Sequence, residues 1–207
     1  MMASFIRIGV YFNFLAGVFL LVYWYAYALF LPYTKLSTTV SILVRNRNWT
    51  WINALGVIGA ILGLLGQGSI VIVHGNSSVW YVFIGYYIAV AGTALLVGTM
   101  IWETVLWPLL LRHDAALLDF TGPIYSQRSF IGFFILSGFI FSAGYVLVGA
   151  GIMRAGILPW ASGLLLAIGA PTFGLGALFG KLQVYVRSLG VTLMSAGSIW
   201  LAISMAS

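Results

Sequence analysis

Apolar residues run through this chain in long unbroken blocks, and the polar positions collect between them. Six blocks, at residues 8–31, 51–73, 79–109, 130–153, 157–179 and 188–205, reach or approach the roughly 20 residues that a helix needs to cross a bilayer. A membrane barrel would instead alternate over segments of about ten residues. Spanning backbone must satisfy its polar groups internally, so unbroken runs of this length predict helices. The expected fold is all-α, a single polytopic bundle of six transmembrane helices.

The third block carries the only acidic residue placed at membrane depth, Glu103. Counting back from it at helical spacing gives Thr99, Leu96, Gly92, Ala89 and Gly85. A mostly small stripe of this kind should face other helices, because small residues let backbones approach. The helix is expected to continue past Glu103 to about residue 109, with Pro108 bending its last turns. In the second block, Gly59 and Gly63 form a GxxxG pattern followed by Gly66 and Gly68. The fifth block contains Gly169, Pro171, Gly174 and Gly176, which should loosen or kink its helix. Between the first two blocks, residues 40–44 are apolar and fit a short interfacial helix.

Composition agrees with this environment. With 62% hydrophobic and 6% charged residues, the chain has too little charge to solvate a water-exposed globule. Its net charge of +6 comes from residues in the polar connections, so it points to membrane orientation and anionic lipid rather than to nucleic acid. Lys35, Arg45, Arg47, Arg112, Arg128, Lys181 and Arg187 fall on one side, and only Arg7 and Arg154 on the other. The bias places residues 32–50, 110–129 and 180–187 in the cytoplasm and both termini outside.

An inverted three-plus-three repeat is a transporter pattern, and some matches between the halves suggest one. Leu15-Ala-Gly17 echoes Leu136-Ser-Gly138, and Ile58-Gly-Ala60 with Leu65-Gly66 echoes Ile168-Gly-Ala170 with Leu175-Gly176.

The chemical inventory is short. The acids are Glu103, Asp114 and Asp119, and there is no cysteine. That removes thiolate chemistry and leaves no residue set suited to nucleophilic catalysis or metal binding. His74 and His113 flank the third span on opposite membrane faces, about 30 Å apart, too far to ligate one haem. The chain therefore reads as non-enzymatic, with no cofactor predicted. The polar candidates in or beside the membrane are Glu103, Thr99, Arg112, Pro171, Arg154 and His74. Glu103 is either a proton- or cation-binding carboxylate or an interfacial one paired with Arg112 or another loop cation. The aromatic first span, with Tyr23, Trp24, Tyr25 and Tyr27, packs on neighbouring helices or lipid, or touches a pigment or quinone.

The segment from Arg154 through Pro159, Trp160 and Gly163 to Pro171 resembles a short basic turn before the penultimate helix in uncharacterised bacterial multi-pass membrane proteins. The resemblance implies a bacterial inner-membrane protein and carries over no activity or site residue. Two functions follow as expectations. The first is a structural or accessory subunit of a larger membrane complex, with lipid and other membrane subunits as partners. The second is a small transporter or channel using Glu103 and the Pro171-interrupted helix.

Overall fold

The structure, a computed structural model, describes residues 2–32, 40–75, 79–119 and 122–206. It is built from helices: α1 (Met2–Phe30), α2 (Val40–Arg45), α3 (Trp49–Val73), α4 (Trp80–Ile101), α5 (Trp107–His113), α6 (Arg128–Ala155), α7 (Trp160–Gly174) and α8 (Gln183–Ala206). A π-helical turn, Trp102–Leu106, joins α4 to α5 without a break. Among the described residues, five helical stretches are long and apolar enough to cross a membrane: Ser4–Phe30, Trp49–Val73, Trp80–His113, Arg128–Ala155 and Gln183–Ala206.

The fifth expected span differs from its prediction. Helix α7 has 15 residues, about 22 Å at the α-helical rise, which is short of the hydrocarbon thickness. Pro171 lies inside its last turn, and Gly174 ends it. A 3-10 segment, Gly176–Leu182, continues the chain to Gly180, whose φ of 52° suits a residue without a Cβ. The chain then enters α8 at Gln183, so Arg187 belongs to a helix and not to the loop that its charge suggested.

The six long or intermediate helices pack in chain order. Each lies against its neighbours in the sequence α1, α3, α4, α6, α7, α8, and α8 closes back on α1. All six seams are antiparallel. Along α1 and α3, for example, Gly56 meets Tyr23, Gly59 meets Leu20 and Gly66 meets Asn13. The arrangement is three consecutive hairpins.

Small residues set the seams. A Cβ on Gly92 would strike the backbone of Phe141, and one on Gly144 would strike that of Ala89, so α4 and α6 touch backbone to backbone. The predicted small stripe of α4 is this seam. The α3–α4 seam is less extensive and is bridged by longer side chains such as Met100 against Gly56. Polar residues add internal ties. Asn13 Nδ2 donates to Gly66 O at 2.8 Å and to Ser69 Oγ at 3.1 Å, and the Gln67 amide donates to the Tyr145 hydroxyl.

Helix α2 sits where the interfacial helix was expected, but Val40, Ser41, Leu43 and Val44 are buried. It packs on α3, α5 and the short Ala115–Leu118 turn. Ser41 Oγ donates to Asp119 at 3.4 Å, which ties the two connections together. Lys35 lies outside the described residues.

Candidate functional site

The end of the bundle where α1, α5 and α7 finish and α3, α6 and α8 begin holds a half-open cavity of about 320 Å³. Its existence follows from α7. That helix stops at Gly174, and the wall continues through Leu175 and then Ala177 and Leu178 of the tighter 3-10 segment. The remaining wall is largely apolar and rich in aromatic rings, with Tyr23, Trp24 and Tyr27 from α1, Trp107 from α5 and Phe173 from α7. Trp24 stacks on Tyr27 with centroids 5.4 Å apart and meets Phe173 edge-on at 5.7 Å. The aromatic first span is thus divided: Tyr23, Trp24 and Tyr27 are buried, while Tyr11 and Tyr25 are exposed.

Glu103 lines this cavity from the π-helical turn. The turn has a local cause. Pro108 has no N–H, and its ring would crowd the carbonyl four residues back in a regular α-helix. Widening the turn relieves that crowding. The Trp107 N–H then bonds to Trp102 O, five residues back. One carbonyl is orphaned as a result. Glu103 O would take its π partner from residue 108, which is proline, and its α partner, Trp107 N–H, is engaged elsewhere. The indole Nε1–H of Trp49 on α3 donates to it at 2.8 Å. Trp49 also stacks on Trp107 with centroids 5.7 Å apart. A tryptophan from the neighbouring helix therefore supplies the donor that Pro108 lacks and fixes the turn carrying Glu103.

The second charge in the lining is Arg187 of α8. Its guanidinium lies over the rings of Trp24 at 4.5 Å and Phe173 at 4.8 Å, a placement that stabilises the cation through the ring quadrupoles. Its stem packs against Gly176. The Nε–H is buried without an acceptor. Arg187 is the charge that acts on Glu103 across the cavity, yet among the described residues the two form no salt bridge, and no hydrogen bond reaches the Glu103 carboxylate.

The residues singled out from sequence divide between this site and other places. Glu103 and Thr99 line the cavity, and the Thr99 hydroxyl is turned to its own helix, donating to Leu96 O at 2.7 Å. Pro171 lies two residues before Phe173, in the turn where α7 fails. Arg112 is exposed at the end of α5 and does not pair with Glu103. Arg154 is exposed in the last turn of α6, which Gly156 ends with a φ of 64°. His74 is fully buried at the end of α3, its Nδ1 bonded to Ile70 O at 2.8 Å and its Nε2 without a partner. His113 lies at the other end of the bundle. Sequence reasoning missed Arg187 as a site residue. Its spacing offered a clue, since Gln183 and Arg187 stand one helical turn apart and both line the cavity.

No protein family, characterised protein or solved structure matches this chain.

Proposed function

We propose that this is a multi-pass membrane protein that binds a small amphipathic molecule in the cavity, as a transporter would. The observation that carries the reading is the cavity itself: about 320 Å³, largely apolar and rich in aromatic rings, with Glu103 and Arg187 facing it and forming no salt bridge among the described residues. Volumes of a few hundred Å³ with an apolar lining and a few placed polar groups are typical of ligand sites. An unpaired charge inside an apolar wall is costly unless something else compensates it. The sequence reading that joined Glu103 to the Pro171-interrupted helix gains support because both border this space. The accessory-subunit reading rested on aromatic-rich spans, short loops and few catalytic residues, none of which requires a protein partner. A quinone or other neutral pigment would leave both charges unused.

The orientation follows the charge bias. Arg45, Arg47, Arg112, Arg128 and Arg187 all lie at the cavity end, so the cavity faces the cytoplasm in this reading and both termini lie outside. The bacterial inner membrane is carried over from the resemblance of residues 154–171 to bacterial multi-pass proteins.

The test uses the absence of cysteine from the chain. Thr93 and Thr99 sit on the same helix, each 4% exposed, but only Thr99 lines the cavity. In otherwise unaltered protein, Thr99→Cys should react with a small hydrophilic thiol reagent applied from the cavity side, and Thr93→Cys should not. Mild extraction followed by native mass measurement should also find a small molecule released on denaturation. Equal inertness of the two cysteines, with nothing co-purifying, would rule the reading out.

A further inference from the structure

We propose that the occupant of the cavity is a zwitterion with an apolar body, its acidic group on Arg187 and its ammonium toward Glu103; this deepens, and rests on, the binding reading above. Glu103 and Arg187 share one lining, and among the described residues they form no salt bridge. A ligand with a single charge would compensate one of them and leave the other, half-buried in a largely apolar wall, without a direct partner, which is costly. A neutral ligand would leave both. A molecule bearing both signs satisfies the two together and brings no net charge into the site.

The surroundings of each charge specify the partner further. Arg187 is clamped against Trp24 and Phe173, and its buried Nε–H has no acceptor. A planar fork of donors held in place suits a carboxylate or phosphate. On the Glu103 side, Trp107 stands one turn further along the chain, and Tyr125 meets both Trp107 at 6.2 Å and Phe130 at 5.5 Å, all lining the cavity. A carboxylate beside ring faces is the chemistry that holds an ammonium group. The remaining apolar wall takes the body of the ligand. Two sources carry this chemistry: a free amino acid with an apolar side chain, and the headgroup of a zwitterionic phospholipid.

The probes are L-phenylalanine, phenethylamine (ammonium only) and 3-phenylpropanoate (carboxylate only). Binding to the purified wild-type protein is followed by the fluorescence of Trp24 and Trp107, which line the cavity. L-Phenylalanine should bind about tenfold or more tightly than either single-charge probe, the effect of one charged hydrogen-bonded contact. Glu103→Gln should weaken phenylalanine toward the level of 3-phenylpropanoate without weakening 3-phenylpropanoate itself. Arg187→Gln should do the same with respect to phenethylamine. The wild-type probe series stands by itself if that variant fails to fold. For the lipid source, nanodiscs of mixed phosphatidylethanolamine and phosphatidylglycerol should leave phosphatidylethanolamine bound after delipidation, and Glu103→Gln should abolish that preference. Equal affinity for the three soluble probes, or no binding of phenylalanine together with no lipid preference, overturns the zwitterion. If Thr99→Cys still reacts in that case, the cavity remains a binding site for another class of ligand; if it does not react, both readings fall.

Discussion

The two halves of α4 and its continuation follow one helical stripe and do opposite things. In the first half, Gly85, Ala89 and Gly92 are buried against α6 so closely that a Cβ on Gly85 would lie 2.7 Å from Leu147 Cβ. In the second, Thr99 and Glu103 continue the same face, and the space before them is a cavity. What differs is the opposing surface. The first half meets the Gly144 and Phe141 backbone of α6, while the second meets an end of the bundle where α7 has stopped and α5 begins after a widened turn. Small residues bring backbones together wherever another backbone is there to meet them. Where the partner is withdrawn, the same stripe becomes a wall.

The largest effect is expected from filling the tight half. Gly92→Leu places a side chain where the Phe141 backbone already stands, and overpacking against backbone cannot relax by a rotamer change. A loss of about 3 kcal/mol or more is expected, at the upper end of overpacking costs. Thermal unfolding followed by tryptophan fluorescence should show a much lower Tm and little monodisperse protein. Gly98→Leu, on the same helix with nothing within 4 Å of its Cβ position, should be tolerated. Equal damage from both would mean that the stripe is not a seam.

A smaller effect is expected from the anchor of the cavity half. Trp49→Phe removes the donor to Glu103 O and shrinks a fully buried side chain, for a loss of about 2 kcal/mol. If the orphan carbonyl is the cause, Pro108→Ala should rescue part of it, since residue 108 regains an N–H and the helix can satisfy Glu103 O by itself. The double-mutant cycle should give a coupling of about 1 kcal/mol. Strict additivity would show that Trp49 acts only through its bulk.

How much of this was legible beforehand follows from what one helix can reveal about itself. Run length picked out the five helices long enough to cross a membrane but overstated α7, and helical spacing gave the small stripe that ends in Glu103. The Gly/Pro run gave the weak point at Pro171, though not that the helix would stop at Gly174. Neighbours were not legible. Trp24, Trp107 and Phe173 come from three helices far apart in sequence, and these helices are apolar on all sides, so periodicity does not say which face turns inward. Arg187 was read as a loop cation because a charge beside an apolar run ordinarily marks its end. It sits instead inside α8, where two rings and Gly176 accommodate it. The need for Trp49 at Glu103 O was hidden for the same reason: Pro108 announces a missing donor, but not which neighbouring helix supplies one.

The smallest expected effect on stability is the most informative about the cavity half. Glu103 spends its carboxylate on no partner within the described protein, so it adds no internal bond that Glu103→Gln could remove. The amide keeps the shape of the side chain, and the backbone bond from Trp49 to Glu103 O does not involve it. Groups held ready for a ligand tend to cost the empty fold rather than support it. The Tm of ligand-free Glu103→Gln should therefore equal or slightly exceed that of wild type, while its affinity for L-phenylalanine falls. A drop in Tm approaching that of Trp49→Phe would show that the carboxylate is a structural tie. The second half of the stripe would then be a seam like the first.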